Sequence, residues 1–378
     1  MRSFTLRILR SKDQMTGKNY LSHATYIAIF TVLAVVILYY ARLFLIPIGF
    51  AILLSMLLLP VSNWLENKGV GRIAATLLCI LLVIVTIALI LLIIAAQAAN
   101  LSEQWPQIQG KLQEMVTQVQ QWVQQQFGVA PQEQIKFVQE QIQKFSQSAN
   151  QFGTSLLKGS LGLITSFALV LLYMFFLLWK REKYHQFFLK LFSAEHQDNV
   201  RVALREITEV AGQYLAGRLF SILFITAFYA IGFSIIGLEN ALLVAPIAAL
   251  PILVPYIGAF VGSIFPLVMA LVSGSTGMVV PTVAVMLVAQ AIDNNIIEPL
   301  VMGAKLNLSP FFTIVAVVSG ELVWGVAGMI LFEPLFAVIR IVCGHVRGLH
   351  PYAYLLENEV AEPNWVKKLK NLFSKGTS

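Results

Sequence analysis

Charge is scarce in this sequence. Asp, Glu, Lys and Arg make up 12% of its 378 residues, about half of what a soluble domain carries. That excludes an ordinary soluble fold. Cysteine is scarcer still. Cys79 and Cys343 stand far apart in apolar segments, so neither a disulfide framework nor a Cys-based zinc site follows. The five histidines, His23, His185, His196, His345 and His350, are scattered and lie outside the most apolar stretch. There is no H-E-x-x-H pair, no G-x-S-x-G elbow and no G-x-x-x-x-G-K-[ST] loop. The sequence is therefore read as no enzyme and no ATP-driven pump, with no cofactor and no metal. The net charge of +7 needs no nucleic acid to explain it, because Lys and Arg collect on the cytoplasmic loops of membrane proteins.

What is abundant is apolar: 58% of the residues, with a mean hydropathy of +0.76. The expected fold is an all-α, polytopic helical membrane protein of about eight transmembrane segments, some broken by Pro or Gly. A basic N-terminal arm with Arg2, Arg7, Arg10, Lys12 and Lys18 precedes a first span at 24–41. The second span, 43–61, follows a tight turn at Arg42, and the third, 73–96, is nearly pure Leu, Ile, Val and Ala.

Residues 97–155 form the main polar insertion. Leu101, Trp105, Ile108, Leu112, Met115, Val119 and Trp122 recur at a mean spacing of about 3.5, a coiled-coil seam. After Gly128 and Pro131 a second seam runs from Ile135 to Phe152. An external Gln-rich helical hairpin is expected, packed on itself or against another subunit of a homo-oligomer. A fourth span at 156–179 ends in Lys180, Arg181 and Lys183, and an amphipathic basic linker leads to Arg218. Residues 219–345 are expected to be a C-terminal transmembrane core, and 346–378 a cytoplasmic tail. Both termini are then cytoplasmic.

The chemistry is expected between Pro246 and Pro334, an apolar stretch cut by many Pro and Gly residues yet carrying Asp293, Glu298, Glu321 and Glu333. Broken backbone and carboxylates persist in lipid only where protein or a water-filled cavity shields them. Pro251 and Pro255 remove two backbone donors and free carbonyls that are candidate ligands. Gly258 and Gly262 form a G-x-x-x-G that permits close helix approach, and packing is the plainer use of it. Gln290, Asn294 and Glu298 follow one helical ridge with Asp293 beside it, before Pro299. The alternative is a helix end at the membrane interface. Glu321, Gly325 and Gly328 share another face, and Glu333 precedes Pro334. Either acid could pair with Arg340 or a distant Lys.

Pro251-Ile-Leu-Val-Pro255-Tyr-Ile-Gly258, Asp293-Asn-Asn-Ile-Ile-Glu-Pro299, Gly303, Leu308-Ser-Pro310 and Gly325-Val-Ala-Gly328 to Pro334 occur in that order. This resembles the signature of the AI-2E family of bacterial transporters, and the layout is similar from end to end. The resemblance implies transport. The family includes an exporter of the quorum-sensing molecule autoinducer-2 and members described as sodium(lithium)/proton antiporters. Glu321 and Glu333 depart from its pattern, where small or apolar residues are expected, which bears on ion coupling.

The leading expectation is export of a small polar solute across the bacterial inner membrane, coupled to an ion gradient. Asp293 would carry a proton or sodium ion. Gln290 and Asn294 would bind hydroxyls or carbonyls. The alternatives are a sodium(lithium)/proton antiporter using the same carboxylates, and a membrane scaffold that transports nothing. The lipid bilayer and further copies of the chain are the other expected partners.

Overall fold

The computed structural model describes residues 32–92, 160–272, 276–301 and 306–358, with isolated positions before and between them. The insertion expected to form a hairpin at 97–155, Gly303 and the tail beyond residue 358 lie outside the described residues, isolated positions aside.

Among the described residues the fold is helical, with no strand beyond one isolated bridge between Leu308 and Glu357. Helix α1 spans Arg42–Asn67 and α2 spans Arg72–Leu92. Residues 32–40 are also helical, and the tight turn expected at Arg42 is a one-residue break at Ala41. Helical hydrogen bonds flank it, Ala41 N to Ile37 O and Leu45 N to Ala41 O. Helix α3 (Ser160–Trp179) bends by 70° into α4 (Arg181–Lys190). Helix α5 runs unbroken from Gln197–Ile235. The amphipathic linker and the fifth span are thus one helix of 39 residues, roughly 58 Å long at about 1.5 Å per residue.

The rest is built from hairpins and one broken helix. Helix α6 (Ala241–Ala249) and a 3₁₀ turn at Leu250–Leu253 lead through Val254–Tyr256 into α7 (Ile257–Val272). Helix α8 spans Val279–Val301. Helices α9 (Pro310–Trp324) and α10 (Val326–His345) turn at Gly325, whose φ of 62° suits glycine. A short α11 (His350–Leu356) follows.

Among the described residues, five helices are long and apolar enough to cross a membrane, or six if the bent α3–α4 pair counts as one span. The apolar segments 241–253, 257–271 and 310–324 are shorter, below the roughly 20 residues a crossing needs. They reach stability by pairing instead. A Cβ on Gly258 would lie 1.9 Å from Pro251 O, and one on Gly262 2.1 Å from Ala248 O. Across the second hairpin, a Cβ on Gly328 would meet Gly320 O at 1.9 Å. Only glycine allows backbones this close, so Gly258, Gly262, Gly320 and Gly328 hold the hairpin arms together. Two cores result. One packs α1, α2 and α3 around Met174 and Leu178, and the other packs α5 to α8 around Ile225, Phe233 and Met269. Leu53, Ala211, Tyr214, Leu215 and Leu331 join α1, α5 and α10.

Candidate functional site

Arg218 sits in the apolar middle of α5 with its side chain 8% exposed. A guanidinium cannot shed its charge, so burial there demands acids. Its Nη2 lies 3.6 Å from Glu333 Oε2 on α10 and 3.9 Å from Glu298 Oε1 on α8. Asp293, 2% exposed, faces both Arg218 and Ser221. Two carboxylates from two elements therefore pair with one cation on a third, and buried Asp293 is near enough to feel its charge. Tyr214, one turn before Arg218, is fully buried against Arg218 and Glu333, with its ring centroid 5.7 Å from the guanidinium carbon.

Local backbone explains the convergence. Residues Asp293–Ile297 form a π-helical turn inside α8, closed by Glu298 N–H donating to Asp293 O. In a regular α-helix two residues five apart would diverge by about 140°. The wider turn brings Asp293 and Glu298 to one face. Pro299 lies just beyond it: Pro has no N–H for the carbonyl of Asn295 and its ring crowds that carbonyl. Such turns recur at functional sites.

The same turn changes which residues face inward. The ridge expected from regular spacing does not form. Asn294 is exposed, and exposed Asn295 donates to Ala291 O at 2.8 Å. Gln290 is half-buried and faces Tyr229. Glu321 is exposed and apart from the cluster, while Glu333 joins it. Arg340 serves elsewhere, pairing with Glu206 at 3.3 Å and Glu357 at 3.1 Å. Pro251 O accepts from Val254 N, and the turn that follows brings Tyr256 (φ 60°) near Glu333, Glu298 and Arg218. Pro310 starts α9, and Pro334 is buried beside Glu333.

Several cluster atoms have no hydrogen-bond partner among the described residues: Tyr214 OH, Arg218 Nε, Ser221 Oγ, Asp293 Oδ1, Glu333 Oε2 and, nearby, Gln290 Nε2. Buried polar atoms rarely stay unpaired. A cluster of them, on three helices around an acid excess, is equipped to bind something polar or to take up protons. Sequence reasoning missed Arg218, Tyr214 and Ser221. The signal was present, since Arg218 is the only Lys or Arg between residues 206 and 304.

The sequence model of the AI-2E family transporter matches residues 27–348. The chain belongs to this family. It contains the cluster and both hairpins within the matched range. Among curated relatives, YrrI of Bacillus subtilis is 24% identical over 315 residues, covering 79% of this chain and 86% of that protein. MT0215 of Mycobacterium tuberculosis is 24% identical over 317 residues, 82% and 84% of the two chains. YueF of B. subtilis is 27% identical over 210 residues, which is 54% of this chain and 57% of YueF. Each is named as a candidate transport protein. This AI-2E family member is thus a multi-pass membrane protein of a transport family.

Proposed function

We propose that this protein is a secondary transporter that exports a small polar solute and resets through ion exchange at the Arg218 cluster. One observation carries the reading: Asp293, Glu298 and Glu333 gather on a single buried guanidinium between membrane helices. Intramembrane ionisable groups are costly, and they mark substrate and proton pathways. With all groups ionised the cluster carries three negative charges against one positive. Taking up a proton relieves that imbalance, and a polar solute would hydrogen-bond the same carboxylates and guanidinium, so the two events compete for the same groups. The guanidinium offers donors and the carboxylates offer acceptors, a pairing that suits a solute rich in hydroxyls or carbonyls.

A sodium(lithium)/proton antiporter is the second reading, and the acid excess favours it. The acids converge on Arg218 rather than on one another, and no three metal-binding side chains group together among the described residues. That arrangement suits proton exchange on carboxylates held beside a guanidinium better than a bare cation. On this reading the protein lies in the bacterial inner membrane with the Arg181, Arg201 and Arg205 end of the helices towards the cytoplasm, which the excess of Lys and Arg at that end supports.

The test is flux in proteoliposomes under imposed proton and sodium gradients. A proton gradient should drive uptake or release of a polyhydroxylated solute. Sodium or lithium movement against protons, with no organic solute, would favour the antiporter.

A further inference from the structure

A cavity of about 1300 Å³ lies apart from the Arg218 cluster, none of whose residues lines it. It opens at the basic end between α1, α4, α5 and α10. Ser55, Met56 and Asn63 on α1, Asn199, Ala203 and Thr208 on α5, and Val338 and His345 on α10 line it, with Arg181 at the α3–α4 bend. Its floor points at the cluster. Along α5, Ala203 and Ile207 on the cavity wall continue at helical spacing into Ala211, Tyr214, Arg218 and Ser221.

A thin layer separates the two. Ala211, Tyr214 and Leu215 on α5 lie between the cavity wall and Arg218 along that helix, packed with Leu53 on α1 and Leu331 on α10. Backbones nearly touch there, since a Cβ on Gly212 would lie 3.1 Å from Met56 O. Within an otherwise apolar layer, Tyr214 is the polar side chain. It is fully buried, its hydroxyl has no hydrogen-bond partner among the described residues, and it faces Glu333 and Arg218. Ser55 Oγ, on the cavity side, is likewise buried and without a partner among them. An apolar seal would be better made by Leu or Phe, which leave no hydroxyl unpaired.

We propose that the cavity is the vestibule through which the permeant reaches the Arg218 cluster from the basic side, and that Tyr214 is the plug between them. This rests on the transport reading above. The ring closes the layer while its hydroxyl stays next to the charges that the permeant displaces. When a polar permeant binds Arg218 or Glu333, the phenol loses those neighbours and swings towards the cavity, where Ser55 offers a hydroxyl. The cluster then opens to the vestibule. Tyr214 is a positioning and gating residue here, acting through Arg218 and Glu333.

The experiment is cysteine accessibility in oriented membrane vesicles, with Cys79 and Cys343 replaced by Ala. The probe is a small, charged, membrane-impermeant methanethiosulfonate applied from the basic side. Asn199→Cys and Thr208→Cys should be modified readily, and Ser221→Cys should be protected. Adding Tyr214→Ala should speed modification of Ser221→Cys by at least about tenfold, as removal of a gate does, with Tyr214→Phe staying near the parent rate. Should Tyr214→Ala fail to assemble, Tyr214→Met keeps an apolar side chain without the ring and decides instead. Equal rates at Ser221→Cys with and without the ring, or no modification at Asn199→Cys and Thr208→Cys, would overturn the proposal. Flux is measured separately. The predicted labelling pattern in a protein with no gradient-driven flux would uphold the gate and remove the transport reading, and the reverse pair of results would do the opposite.

Discussion

Arg218 Nη2 stands 3.6 Å from Glu333 Oε2, both side chains less than a tenth exposed, on helices that no sequence spacing connects. That separation is an ion-pair distance but longer than a hydrogen bond. Each partner is buried only because the other is there. Glu298 and Asp293 add two further acids to the same cation.

Removing the cation should therefore be severe. Arg218→Met keeps apolar volume but leaves buried carboxylates without their counter-charge, which costs about 3–5 kcal/mol when one partner of a buried pair is lost. Thermal unfolding in detergent should show a clear drop for Arg218→Met and a partial recovery in the Arg218→Met/Glu333→Gln double variant. A single variant as stable as the parent would mean that the charges are not buried together.

The hairpins make a separate prediction. A Cβ at position 328 would lie 1.9 Å from Gly320 O, and one at 258 would lie 1.9 Å from Pro251 O. Gly328→Ala and Gly258→Ala must push the arms apart, an overpacking cost of about 1–3 kcal/mol or more. Gly71→Ala, with nothing within 4 Å, is the control. Yield of monodisperse protein and Tm should fall for the first two and hold for the third.

Much of this architecture was legible before any coordinates. Membrane composition and the broken C-terminal half follow from carboxylates and prolines in an apolar run, and Asp293 and Glu298, singled out on the same ground, lie near Arg218. Gly258 and Gly262 serve close packing, the plainer of the two uses open to them. Two things were hidden, for physical reasons. Regular helical spacing put Asn294 on the active ridge, but the π turn before Pro299 rotates Asn294 outward and Asp293 inward. Arg218 looked like the last basic residue of a surface linker after Arg201 and Arg205. Only the unbroken 39-residue α5 shows that it lies inside the apolar half of one helix. Pairing between α5, α8 and α10 is a tertiary fact, and local pattern cannot encode it.

Glu321 supplies a discriminating negative. It sits in an apolar helix as Glu333 does, yet it is exposed and is not among the acids that pair with Arg218. Glu321→Gln should leave gradient-driven flux within about twofold of the parent, the range usual for exposed substitutions away from a site. A transport-dead Glu321→Gln protein of normal stability would move the coupling site to α9.

The central claim is that Asp293, held by the π turn against Arg218 and Ser221, exchanges its charge during transport. Asp293→Asn preserves size and hydrogen bonding and removes only the ionisable carboxyl. The direct measurement is proton-gradient-driven flux in proteoliposomes containing matched amounts of parent and Asp293→Asn protein, each shown to be folded by its Tm. The account predicts normal assembly with gradient-driven flux lost, while any downhill exchange of solute for solute persists. Parent-level gradient-driven flux in correctly assembled Asp293→Asn protein would contradict it.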